Sequence, residues 1–211
     1  MISAEDFLAR HPASDSGPDE VDDQSVGGGL GHDGDSVADR ASDVDAVSEA
    51  EGGDLYRSDE ENHCQEAALR LLDAVPRSSG ALTQRLRDKG YDPDLIDRVV
   101  SRLVASRLID DEAYAHALVS YCLSRNMGAY GTRQELRKKA VDDRLAAACV
   151  SQAEAEGRFD QAAYELARKV ARKTKGLDYQ VRLRRYWSAG ARKGHGPTAI
   201  KRYAGLLREE E

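Results

Sequence analysis

Leu86-Arg87-Asp88-Lys89-Gly90-Tyr91-Asp92-Pro93-Asp94-Leu95 returns fifty residues later as Leu136-Arg137-Lys138-Lys139-Ala140-Val141-Asp142-Asp143-Arg144-Leu145. In the first copy a helix carrying Leu82 and Leu86 stops at Gly90, a residue that takes the left-handed turn closing a helix. Asp92 then supplies an N-cap carboxylate and Pro93 the first helical position. Leu95, Ile96, Val99, Val100, Leu103 and Val104 follow as one apolar helical stripe. The same order of break, cap and stripe recurs in the second copy. A further shift of fifty lays Asp110 on Asp160, Tyr114 on Tyr164 and Ala140 on Gly190. Ala191-Arg192-Lys193-Gly194-His195 then supplies about four extra residues before the last helix.

Working outward, the spacing predicts nine helices from His63 onward and no strict alternation of the kind strands need. The first covers 63–75, the second 81–89 and the third opens at Asp92-Pro93. The fourth begins at Asp110-Asp111, with Tyr114, Leu118, Tyr121 and Cys122 inward. The fifth begins at Thr132, where Thr132-Arg133-Gln134-Glu135 fits a capping box. The sixth starts near Asp142, the seventh near Asp160, the eighth at Asp178 with a stop at Gly190, and the ninth at Gly196-Pro197. The expected fold is all-α: an elongated array of three tandem three-helix repeats at 63–109, 110–157 and 158–211. One such unit has little core, so neighbours must share apolar surface.

Residues 1–62 hold 18 acidic against three basic residues, a net of −15, whereas 63–211 carry a net of +8. The overall charge of −7 conceals this split. The first 62 residues, rich in Asp, Ser and Gly, are expected to form a disordered acidic tail, too poor in apolar surface to offset the entropy of ordering. Such a tail is either a solvating segment or a decoy for basic surface elsewhere in the chain. Residues 168–208 contain 13 bases and one acid, Asp178. That excess points to an anionic partner, most simply nucleic acid. No run of apolar residues is long enough to span a membrane, and the N-terminus MISAEDFLARHPASDSG lacks signal-peptide character, so a cytoplasmic protein is expected.

The chain resembles the RecX family, bacterial regulators of the RecA recombinase. The residues that carry the resemblance are Ala68-Leu69-Arg70-Leu71-Leu72, Arg77-Ser78-Ser79, and Leu86 to Gly90. They continue through Leu103-Val104-Ala105-Ser106-Arg107-Leu108-Ile109-Asp110-Asp111-Glu112-Ala113-Tyr114-Ala115 and Gly131-Thr132-Arg133-Gln134-Glu135-Leu136-Arg137-Lys138-Lys139-Ala140. The likeness covers about 64–207 and is specific over 82–140. It departs at Ala140, where the family usually has glycine, at Trp187-Ser188-Ala189-Gly190-Ala191, and in the acidic extension. The resemblance implies a regulator that lies along RecA–DNA filaments, contacts RecA and the single-stranded DNA within, and inhibits recombination and ATP hydrolysis in DNA repair and the SOS response.

No phosphate-binding loop, zinc-protease motif or nucleophile elbow is present, so no enzyme and no cofactor are expected. Cys64, Cys122 and Cys149 form no C-x-x-C pair, and His63-Cys64 is too small a set to hold a metal. His116 reads as a boundary residue. The candidate partner- and DNA-binding residues are cationic: Arg133, Arg137 and Lys138 in the middle repeat, and Arg168, Lys169, Arg172, Lys173, Arg182 and Arg185 in the third. Rows spaced i, i+4 share a helix face and can meet phosphates or acidic grooves. Tyr186 and Trp187 read as core and Tyr130, between small residues, as exposed. The expected protein is a monomeric, non-enzymatic filament regulator; the alternative is a helical-repeat nucleic-acid-binding module without a recombinase partner.

Overall fold

The computed structural model describes residues 48–208, with side chains from residue 59. The described residues form nine α-helices and a closing 3-10 turn, with no strand among them: α1 Ser48–Ala74, α2 Ser79–Asp88, α3 Pro93–Ala105, α4 Asp111–Ser124, α5 Ala129–Lys138, α6 Asp143–Ala155, α7 Arg158–Lys173, α8 Tyr179–Arg192, α9 Pro197–Tyr203, then the turn Ala204–Leu207. They pack as three successive triplets, each around its own core. Leu82, Leu86, Ile96, Val99 and Leu103 centre the first core. Tyr114, Leu118, Cys122, Leu136 and Cys149 centre the second, and Leu166, Ala167, Tyr186, Ile200 and Leu207 the third. Phe159, in the first turn of α7, belongs to the middle core, so adjacent triplets share apolar surface.

The caps follow the chemistry of the sequence. Asp92, Asp110, Asp142 and Asp178 each accept backbone N–H bonds at a helix start, and Pro93 and Pro197 open their helices. Left-handed residues recur at the same period: Gly90 and Ala140, Arg107 and Gly157, Asn126 and Gly176. The backbone therefore repeats more faithfully than the side chains, with Ala140, Arg107 and Asn126 holding turns that are glycine elsewhere.

Several boundaries differ from expectation. Helix α1 begins at Ser48, not 63, so residues 48–62, expected within the acidic tail, are helical. Glu61 explains part of this, since its carboxylate lies between Arg98 and Arg102 of α3, and Gln65 accepts from Arg102 one turn later. The expectation of disorder for residues 1–47 lies outside the described residues. Helix α5 begins at Ala129 with Gly128 as its cap. Thr132 is buried within the helix and its hydroxyl lacks a hydrogen-bond partner, so it does not form the expected capping box. Helix α7 starts at Arg158, after the left-handed Gly157, rather than near Asp160. Helix α8 runs on to Arg192, and the left-handed residue closing it is Gly194, not Gly190. Gly190 instead lies inside α8 where a Cβ would stand 2.8 Å from Ile200 Cγ1.

One contact recurs between triplets. The N-terminus of the second helix in one triplet is seated on the loop after the second helix of the next. Ser78 Oγ donates to Lys139 O at 2.6 Å, and the Ser79 N–H donates to Asp111 Oδ1 at 2.8 Å. Gly80 passes so near Ala140 that a Cβ would meet the Ala140 carbonyl. At the second junction the Gly128 N–H donates to Lys193 O at 2.9 Å. Lys193 Nζ donates to Arg125 O, and His195 Nε2 lies 2.9 Å from Asn126 O. The second helix of the third triplet, α8, offers no such seat: its cap is the carboxylate of Asp178, followed by Tyr179 and Gln180.

Candidate interaction surface

Helix α7 sets the surface. Its inward residues Phe159, Ala162, Ala163, Leu166 and Ala167 are buried, leaving Arg168, Lys169, Arg172 and Lys173 exposed. Consecutive residues on a helix lie about 100° apart, so this row divides in two. Lys169 and Lys173 turn toward α8, where Arg184, Arg185 and Arg192 stand opposite. Between them runs a groove of about 690 Å³, floored in part by Leu166, Val170 and Ala189 and lined by no carboxylate. These five exposed cations make no ion pair with any described residue. Arg168 and Arg172 turn the other way, toward Lys175, Leu206 and Arg208 near the C-terminal turn. Arg168 pairs with Glu165 at 3.4 Å and lies over the Tyr164 ring. Arg208 lies over the Tyr179 ring, 5.5 Å from its centroid.

Arg182 is placed differently from the other candidate cations. It is only 4% exposed. Its Nε donates to Thr174 Oγ1 at 3.4 Å, and its NH2 group donates to Ala171 O at 3.3 Å. Thr174 in turn donates to Val170 O at 2.8 Å. Arg182 thus closes the C-terminus of α7, putting positive charge where carbonyls are left over and the helix dipole is negative. Its neighbour Arg185 is exposed and belongs to the groove.

In the middle triplet the cations are partly neutralised. Arg137 pairs with Asp143 at 3.4 Å. Lys138 pairs with Glu135 at 2.9 Å, and that bond raises the lysine pKa. Arg133 is exposed on the same helix. Tyr130 is 68% exposed in the first turn of α5, whereas Tyr186 is fully buried, and Trp187 packs partly buried against the third core. Burial pushes the Tyr186 phenol up to about 12. His63 is exposed while Cys64 is buried, and no group of metal-binding side chains occurs among the described residues. His116 is half-buried, with Nε2 3.9 Å from Cys149 Sγ. No described helix is long and apolar enough to cross a membrane.

Sequence reasoning missed Arg184 and Arg192 as groove residues. The signal was present in the 13-to-1 excess of bases, but their meeting with Lys169 and Lys173 depends on how α8 crosses α7.

Comparison with known proteins supplies the family. The family model for the first three-helix domain of RecX matches residues 64–103. Regulatory protein RecX of Streptomyces coelicolor is 35% identical over 165 residues, covering 78% of this chain and 87% of that protein. Regulatory protein RecX of Thermobifida fusca is 31% identical over 160 residues, covering 75% and 84%. The crystal structure of RecX from Lactobacillus salivarius superposes with a TM-score of 0.62 at 22% identity, covering 71% of this chain and 97% of that one. A second crystal structure of regulatory protein RecX gives 0.65 at 19% identity, covering 75% and 80%. With the extended match in sequence and the shared helical array, the chain belongs to the RecX family of regulatory proteins.

Proposed function

We propose that this chain binds RecA–DNA filaments and lowers their recombinase and ATPase activity, so modulating DNA repair and recombination. It acts as a non-catalytic cytoplasmic monomer, within the SOS response. Its working units are 63–109, 110–157 and 158–211. The observation that carries this reading is the cationic groove between α7 and α8, lined by no carboxylate and set in a chain of the RecX family. Arg168, Lys169, Arg172, Lys173 and Arg185 contact phosphates or acidic filament surface by charge, with Arg133, Arg137 and Lys138 as a second contact. Arg182 supports that surface from beneath. A titration of ATP hydrolysis by RecA on single-stranded DNA tests the reading. Sub-stoichiometric addition should lower the rate; an unchanged rate at equimolar protein removes the proposal. The 13-to-1 excess of bases also favours a plain nucleic-acid-binding module. That reading predicts DNA binding alone as tight as filament binding.

A further inference from the structure

The α7–α8 groove combines two features that a bare phosphate chain does not need together. Six cations line it, Lys169 and Lys173 on α7 and Arg184, Arg185, Arg192 and Lys193 opposite, and between them lie the side chains of Leu166, Val170 and Ala189. Its fitting ligand is a short acidic peptide with an apolar residue at its centre. The carboxylates would reach both rims while the apolar side chain covers the floor.

Such a peptide exists in this chain. Residues 1–47 hold twelve acidic residues against Arg10 and Arg40. Between those two arginines no base occurs, and the densest charge is Asp19-Glu20-Val21-Asp22-Asp23, two carboxylate pairs flanking one valine. The cationic face on the other side of α7 differs, because Arg168 pairs there with Glu165 and Arg208 lies over the Tyr179 ring. The first triplet presents Glu61 against its own arginines, and the cations of α5 face Asp143 and Glu135. The 27 residues from Val21 to Ser48 span up to about 90 Å when extended.

We propose that Asp19-Glu20-Val21-Asp22-Asp23 docks within its own chain into the groove between α7 and α8, as a competitor for anionic partners. The contact is electrostatic at its rims, so it weakens with salt. Tethering places the segment near its target at roughly millimolar effective concentration. A weak contact, with an intrinsic dissociation constant of about 0.1 mM, would then mask the groove about tenfold. The inference goes beyond the recombinase reading and does not depend on it.

The test uses the full chain and a zero-length carbodiimide, which joins carboxylates to amines in contact. Mass spectrometry should find links from residues 19–23 to Lys169 or Lys173, lost when salt is raised. A mixed sample of unlabelled and 15N-labelled protein should show these links within single chains. The full-length variant D19N/E20Q/D22N/D23N should lose them and bind a fluorescent oligo-dT about tenfold more tightly. Links only to lysines that do not line the groove, links only between chains, or unchanged oligo-dT affinity at low salt would each overturn the proposal. Loss of RecA inhibition with the crosslinks intact would instead remove the recombinase reading alone.

Discussion

Replacing Gly128 with alanine should loosen the third triplet from the second while leaving both helical. Gly128 has φ of −86°, a conformation open to any residue, so nothing in its own backbone requires glycine. What requires it is the loop of the third triplet packed against it. A Cβ there would stand 2.7 Å from both the Gly194 carbonyl carbon and His195 Cα, and within contact of the Gly194 oxygen. Ordinary van der Waals separation is about 3.5–4.0 Å, so main chain must retreat by roughly 1 Å. Every obstacle is backbone, so no side chain can swing away to make room. Three hydrogen bonds cross the same seam: Gly128 N–H to Lys193 O, Lys193 Nζ to Arg125 O, and His195 Nε2 to Asn126 O. At about 0.5–1.5 kcal/mol each, with overpacking of about 1–3 kcal/mol only partly relieved by their loss, the variant should be destabilised by about 2–4 kcal/mol. Urea denaturation and amide exchange supply the readout. Exchange should accelerate at 128–132 and 193–196 and remain slow in the first triplet. Gly196→Ala is the control, since a Cβ there meets nothing within 4 Å. Equal stability and equal exchange in the two variants would refute the reasoning.

Other substitutions probe separate features. Arg182→Leu should cost about 2–3 kcal/mol by removing the charged donor shared by Thr174 Oγ1 and Ala171 O, which keeps only its bond from the Thr174 N–H; a change under about 0.5 kcal/mol in thermal or urea unfolding would deny it a structural role. Tyr186→Phe should be neutral or stabilising by up to about 1 kcal/mol, because the buried hydroxyl has no partner; a clear loss of stability would show that it has one. Arg107→Gly should stabilise by about 0.5–1 kcal/mol by relieving a left-handed residue with φ of 58°, read as a raised thermal midpoint. His195 is buried beside Lys193, and burial first, then that charge, lowers its pKa, while the bond to Asn126 O opposes the shift. The folded chain therefore binds this proton less readily than the unfolded chain. Stability should be full above about pH 6.5 and fall as the pH drops through and below that value. A His195→Gln variant should lose this part of the pH dependence in thermal melts.

The apolar stripes and carboxylate caps were readable because they are local. Asp92, Asp110, Asp142 and Asp178 each act within three residues of their own position. What escaped reading was set by distant parts of the chain. Thr132 resembles a cap, yet α5 starts earlier because Gly128 is held by Lys193 from another triplet. Gly190 resembles a stop, yet it is a helical glycine that makes room for Ile200. The start of α1 carries no apolar stripe at all, and its later part is tied by ion pairs that sequence spacing does not reveal. The cationic character of the third triplet was plain from composition. Its division into two faces was not, because Arg168 and Lys169 differ by one position and that step turns them toward different neighbours. Arg182 illustrates the same limit: its charge was legible, but its burial depends on the turn at Thr174.

The seat that joins one triplet to the next is not repeated at the start of α8. Ser78 and Gly128 open helices whose first turns admit a loop of the next triplet, helped by Gly80 and Gly131. Position 178, fifty residues further, presents an aspartate whose oxygen is already used by Gln180 N–H, and no glycine follows it in that turn. A tandem duplication that appended one more triplet would bring loop carbonyls against this carboxylate and find no hollow to receive them. Addition of a triplet by copying would therefore require that cap and the residues after it to be exchanged.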